Sequence, residues 1–418
     1  MNEALLARLR ALAKRTLTDC TFIKSASYFG QAEDTAVLLP SGDEKYLSFW
    51  VRDCAMMAES GLLSNRDLLR YLEIIALCGQ NGKDTLYLEN GLTVPPFAVA
   101  DHVNYDGRPV YFPGTYQSGS DQGNGKYGFF PPFCDNYFFV LLAAQYVLQS
   151  GDVAVLQKSY GGVPLITRLA HAAKGYNIDR ESGLCESAED AYTVDWGFVD
   201  TVKKSGKLLM ASLLRHNAHT ALATLFSALG DDTKCKQYPA EAAKIAENVR
   251  KSFYDEASGW YFSATGIGHQ PDVWGTAYAV YSGVAQGEAT LCALAVAYQN
   301  GTAVVDGYVR HIPTDRNHSA TSAWEASTTE LDRYQNGAFW ATATGWYAYA
   351  LWRYNRKTDI LSDFLSHTER YADSGAPFEW IDKETAHLSG LRYGTSGVLP
   401  YIAAKRIAAE DGLDRSAE

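Results

Sequence analysis

The sequence predicts an all-α fold: an (α/α)6 barrel, a toroid of six helical hairpins, with long loops forming a pocket on one rim. Three observations predict it. Helical periodicity recurs from end to end in about a dozen segments. These segments alternate between two textures, one amphipathic and one apolar nearly all round, as outer and inner helices should. Between them lie four long loops, 91–134, 176–206, 300–336 and 373–394, rich in aromatics and glycine. Loops longer than about 15 residues are uncommon in a compact domain and usually functional. A helical solenoid is the structural rival, but repeat arrays show a fixed sequence period, and none is found here.

The elements follow in order. Segment 2–16 reads as an amphipathic helix with Leu5, Leu9 and Leu12 on one face. Its Arg8, Arg10, Lys14 and Arg15 interrupt any apolar stretch, so it lacks the pattern of a secretory signal. Helical spacing continues near 54–62, 66–79, 135–150 and 162–174. Segment 207–229 is apolar on nearly every side, which suits an inner helix. Segment 241–254 places Ala242, Ile245, Ala246, Val249 and Phe253 on one stripe, with Glu247, Arg250 and Lys251 opposite, which suits an outer one. The segments near 272–285, 288–299, 337–354, 358–372 and 395–410 complete the set.

Composition bounds the function. The 418 residues are 47% hydrophobic and 20% charged, the profile of a compact globular enzyme. No Pro/Ser-rich or charge-rich linker divides them, so residues 1–418 are expected to form one catalytic domain. The formal net charge of -11, with no basic block, disfavours nucleic acid and fits neutral or cationic ligands. No apolar run approaches the roughly 20 residues that cross a bilayer, so no membrane partner is expected. The seven cysteines are scattered and without a CxxC pair, which argues against a disulfide framework or a zinc site and for a reducing, cytoplasmic setting.

Much of the aromatic content stands in the loops beside acids and amides: Phe49 to Asp53, Tyr127 to Tyr137, Tyr192 to Phe198, Tyr334 to Trp340, and Phe378-Glu379-Trp380. Sugars present apolar C–H faces rimmed by hydroxyls. Aromatic platforms beside Asp, Asn, Gln and Arg are what a sugar-binding cleft requires, although the same aromatics could simply pack loops onto the barrel.

The order of these clusters resembles the six-hairpin glycosidases, the clan of glucoamylases, trehalases and processing α-glucosidases, over most of the chain. Trp50-Val51-Arg52-Asp53, opening a helix, is similar to the Trp-x-Arg-Asp signature whose Arg and Asp grip the innermost sugar. Tyr334-Gln335-Asn336-Gly337-Ala338-Phe339-Trp340 resembles a Tyr-x-Asn-Gly-x-x-Trp motif of debranching enzymes and invertases. Asp272-Val273-Trp274-Gly275-Thr276-Ala277 is similar to a recurrent helix start in these barrels. The run from Phe378 to Gly390 resembles the glucoamylase segment that carries the general base, which would make Glu379 that residue.

The resemblance implies a glycoside hydrolase without a cofactor that removes a terminal sugar, an α-glucoside among the candidates, by an inverting two-carboxylate mechanism. It places the general acid in the loop Glu186 to Phe198, where the sequence departs from the glucoamylase pattern. Asp195, beside Trp196, ranks first as the acid, followed by Glu189 and Asp190. A carboxyl packed against an indole should be held protonated by desolvation. Trp50, Arg52, Asp53, Asp190, Trp196, Tyr334, Asn336, Trp340 and Trp380 would orient the sugar. Subsites that an N-terminal β-sandwich builds in many relatives would be absent here or come from a second subunit, so a homo-oligomer is one expectation.

Plainer roles stand beside these. Asp53 could be a helix N-cap, Asp190 and Asp195 a cap or a solvated acidic loop, and Glu379 a surface carboxylate. His216 and His219 fit a buried helix better than a metal site, and neither HExxH, GxSxG nor a phosphate-binding glycine loop is present. Gly123, Gly125 and Gly128 would shape a cleft wall. The rival activities on the same barrel are a cofactor-free sugar epimerase using His311 or His318, an unsaturated-uronide hydrolase using one aspartate, and a non-catalytic carbohydrate-binding toroid.

Overall fold

The computed structural model describes residues 1–24, 34–42, 46–88, 91–111, 128–372, 376–382 and 392–412. Twelve α-helices lie among them: α1 Glu3–Asp19, α2 Val51–Ala58, α3 Asn65–Ile74, α4 Cys134–Ser150, α5 Leu165–Lys174, α6 Leu209–Ala228, α7 Asp232–Phe253, α8 Val273–Tyr281, α9 Glu288–Gln299, α10 Thr344–Asn355, α11 Asp359–Tyr371 and α12 Gly394–Glu410. Each falls on a segment of helical periodicity.

The two textures sort the helices as the apolar pattern requires. All eight residues of α2 are buried, as are Thr344 to Trp352 of α10. By contrast α7 buries only Ala242, Ile245, Ala246, Val249 and Phe253, the stripe read from the sequence. The even-numbered helices touch in the order α2, α4, α6, α8, α10, α12 and back to α2. The odd-numbered ones pack outside: α1 on α12, α3 on α4, α7 on α6, α9 and α11 on α10. The main core runs from Leu5 to Ile407, with a small separate cluster of Leu92, Val94, Ala98, Ala100 and Tyr111.

Helix ends depart from the periodicity where caps and backbone needs override it. α7 starts at Asp232, ahead of the expected 241, because Asp231 accepts from the Lys234 N–H at 3.0 Å and Pro239 is carried inside the helix. α10 starts at Thr344, behind the expected 337. Gly337 has φ +109°, and Phe339–Trp340 are extended, pairing with Tyr308–Arg310 and with Trp380–Ile381. That last pairing and Val304–Val305 complete a four-stranded sheet. A three-stranded sheet joins Phe49–Trp50, His102–Val103 and Pro109–Val110. These two small sheets carry residues of the motifs singled out in the sequence. No described helix is long and apolar enough to cross a membrane.

Candidate active site

The chain enters α2 directly from a strand, and this junction builds the site. Trp50 pairs with His102 across the strands, so the two rings stack at 4.3 Å and 20°. Trp50 is the N-cap of α2 and supplies no side-chain cap bond, so Asp53 is not the cap. It stands in the first turn with its carboxyl sealed in the interior, 1% exposed.

Arg52, beside it, is buried among carboxylates. It forms a short ion pair with Asp101, and its guanidinium lies 3.5 Å from Asp53 and 4.0 Å from Asp135. Asp101 also takes a 2.8 Å bond from His102 Nδ1. Asp135 comes from the first turn of α4. Gly197 borders the guanidinium so closely that a Cβ there would overlap it.

This crowding decides which acids hold protons. Burial pushes the Asp101 carboxyl up, but Arg52 and His102 outweigh it and hold Asp101 below the ordinary range. Burial also disfavours ionised Arg52, yet Asp101, Asp53 and Asp135 together keep its pKa well raised. One cation cannot serve every acid. Burial pushes Asp53 up to about 6 and Asp200 up to about 7, with Arg52 offsetting part of each shift. Burial drives Asp135 well above the usual range, again partly opposed by Arg52.

Pro40, Tyr46, Trp50, Arg52, Asp53, Asp101, Gly197, Phe198, Asp200, Tyr334 and Tyr393 line a cleft over this cluster. Asp200 is half-buried, with its Oδ1 shielded and without a hydrogen-bond partner. The turn that carries it is pinned by Gln335, whose Nε2 donates to the Gly197 carbonyl at 3.1 Å. Gln335 Oε1 accepts from the Thr201 N–H and hydroxyl, both at 2.8 Å. Tyr393 donates to Asp53 at 3.2 Å, and Tyr46 donates to Glu379 Oε1 at 2.7 Å. Glu379, 2% exposed, thereby touches a residue that lines the cleft without lining it itself.

Several expected site residues have other work. Asp195, expected as the acid, is buried, ion-paired to Lys204 Nζ at 2.8 Å and bonded to the Ala211 N–H at 2.8 Å, and it does not line this cleft. Asp190 and Glu189 are exposed, and the nearest cleft acid from that loop is Asp200. Asn336 is consumed as a loop clamp: its Oδ1 accepts from the Ala323 and Trp324 N–H groups and its Nδ2 donates to the Thr329 carbonyl. Trp196 and Trp340 are buried against Phe198 and Trp274, and Trp380 pairs with Trp340 in the sheet. None of the three lines this cleft.

Trp50, Arg52, Asp53 and Tyr334 do meet in the cleft. Sequence reasoning missed Tyr46, Asp101, Asp135, Asp200 and Tyr393. The signal for Asp200 was its place just after Trp196-Gly197-Phe198, in the same aromatic and acidic stretch. His311 is buried and stacked on Trp274 at 3.8 Å, where burial and Lys204 hold its pKa well down, and His318 is exposed. Neither lines this cleft. Gly123, Gly125 and the run 383–390 lie outside the described residues. No cluster of three or more metal-ligating side chains occurs among the described residues. In the acid cluster the cation is Arg52.

Neither protein-family models nor curated proteins match this chain. Solved structures do. A GH78 rhamnosidase of Bacillus sp. GL1 shares 17% identity over 97% of this chain with TM-score 0.57, and the chain spans 35% of that protein's length. A glycosidase in complex with glucose shares 12% identity with TM-score 0.61, covering 98% of this chain and 99% of that one. Hormoconis resinae glucoamylase shares 14% identity with TM-score 0.60, covering 97% and 74%. Matches this distant in sequence and this complete in coverage speak to architecture: the chain shares the overall fold of these glycosidases.

Proposed function

We propose that this chain is a glycoside hydrolase in which Asp200 is the general acid and Glu379 the general base. One observation carries the reading. Asp200, whose carboxyl burial raises to about 7, lines a cleft together with Tyr46, and the Tyr46 hydroxyl donates to a second carboxylate from a distant loop, Glu379. The ring of even-numbered helices supports the (α/α)6 barrel, and the main core supports one catalytic domain.

In this reading Asp200 gives its proton to the glycosidic oxygen as the C–O bond breaks. Glu379 takes a proton from the water whose oxygen attacks the anomeric carbon. Arg52 and Asp53 hold the sugar's hydroxyls, and Trp50 and Tyr334 offer apolar faces. Asp101 and Asp135 hold Arg52 in place. We take the reaction as inverting, which needs the two carboxyls roughly 6.5–9.5 Å apart, whereas a retaining pair stands at about 5–5.5 Å. A terminal neutral sugar, α-glucosides first, is the substrate class to test.

The test is turnover of nitrophenyl glycosides and of α- and β-linked disaccharides, with NMR of the anomer first released. Wild-type turnover lost in Asp200→Asn and in Glu379→Gln supports the pair. Turnover that survives Asp200→Asn refutes it. Inactivity on every neutral glycoside, with activity on unsaturated uronides, would select the rival chemistry.

A further inference from the structure

A second concave site lies on the outside of the barrel, where α5, α6 and α7 meet. It encloses about 660 Å³ and is bordered by Lys174, Arg180, Arg215, His219, Tyr238 and Lys244, within the range of about 300–1,000 Å³ typical of small-molecule pockets. Its charge is unexpected in a chain with a formal net charge of -11. Four cations face it against two carboxylates, Asp179 and Glu241.

Both carboxylates are engaged internally. Asp179 accepts from the Ser182 N–H at 3.0 Å and lies 3.3 Å from Lys207 Nζ. Glu241 accepts from Gln237 Nε2 at 2.8 Å and lies 3.0 Å from His219 Nδ1. None of the ion pairs among the described residues engages Lys174, Arg180 or Lys244. Deeper in, Arg215 is only 8% exposed. Its Nη1 donates to the Gly183 carbonyl at 2.8 Å, while its Nε is buried and has no hydrogen-bond partner. A buried guanidinium with an unmet donor is costly unless something accepts from it.

We propose that this groove binds a small oxyanion, a phosphoryl or carboxylate group carried on a sugar or polyol. Arg215 would supply the directional donors at the floor, Lys174 and Lys244 the charge at the rim, and Tyr238 a face for the carbon skeleton. The site is separate from the Asp200 cleft, and the proposal stands independently of the reading given to that cleft.

Isothermal titration of the full chain with inorganic phosphate, glucose 6-phosphate, glucuronate and glucose tests it. The expected result is binding of at least one of the three anions that glucose, which the Asp200 cleft is read as holding, does not displace. It should be about tenfold weaker in the exposed-site variant Lys174→Ala/Lys244→Ala, where charge-assisted contacts are lost, and weaker again as salt rises. Asp200→Asn should leave it unchanged. Equal affinity for phosphate and glucose 6-phosphate would mean the anion alone is read, and tighter binding of the sugar phosphate that the skeleton is read too. Absence of binding by all three anions at concentrations on the order of 10 mM would overturn the proposal. So would anion binding unaltered in the double variant.

Discussion

At the scale of single residues, Asp200 has a pH dependence whose sign can be worked out. Its carboxyl is pushed from an ordinary 3.8 to about 7 in the fold. Below the ordinary value both folded and unfolded chains hold the proton. Between there and about 7 the unfolded chain releases it first, so folding stability falls as pH rises through that window and levels off above it. Asp200→Asn cannot ionise and is expected to gain melting temperature relative to wild type from pH 4 towards neutrality, while turnover drops by about 10²–10⁴. In the wild type kcat/KM should fall as pH passes about 7 and the acid loses its proton. Asp195→Asn should do the reverse. It leaves Lys204 as an uncompensated charge in the interior, at a cost of about 3–5 kcal/mol in chemical denaturation. A variant that still folds should keep measurable turnover. A melting temperature unchanged in Asp195→Asn would contradict the ion-pair role.

At the scale of elements, the turn 197–201 positions Asp200, the proposed acid, and two residues outside the carboxylate set control it. A side chain at Gly197 would enter the Arg52 guanidinium. Gly197→Ala is therefore expected to lose about 1–3 kcal/mol of stability through overpacking, and to weaken sugar binding by displacing Arg52. Gln335 ties the turn by three hydrogen bonds. Gln335→Leu leaves the Gly197 carbonyl and the Thr201 donors unmet, so kcat should fall more than KM changes, with a stability loss of about 1–3 kcal/mol. Steady-state kinetics beside thermal melts would separate the two effects. Helices were legible from periodicity because burial of a stripe is a local property of the chain, as in α7. The extended pair Phe339–Trp340 was not, since its partners Tyr308–Arg310 and Trp380–Ile381 stand about 30 and 40 residues away.

For the whole molecule, closure of the helix ring depends on close approach between inner helices. Gly345 of α10 faces α12, and a Cβ there would sit 2.6 Å from the Leu399 carbonyl oxygen. Gly345→Val should pry the two helices apart, lowering stability by about 1–3 kcal/mol. Because Tyr393, the N-cap of α12, lines the cleft, the variant should lose turnover at temperatures well below its melting point. Retention of wild-type stability would show that the ring has slack at this junction.

The sequence by itself determined the all-α character, about a dozen helical segments and the inner and outer textures. It also marked Trp50, Arg52, Asp53 and Tyr334 as cleft residues and Glu379 as a carboxylate in an apolar setting. These readings rest on patterns carried within one segment. The tertiary structure decided how the acids of the central stretch are placed. Asp195 and Asp200 are five positions apart in one acidic, aromatic run. Lys204 and the α6 backbone capture the first, while burial raises the second to about 7 at the cleft against the pull of Arg52. The Arg52 cluster, assembled from α2, α4 and the Asp101 and Asp200 loops, was likewise beyond local reading. A carboxyl's charge state is set by neighbours that only folding brings within a few ångströms.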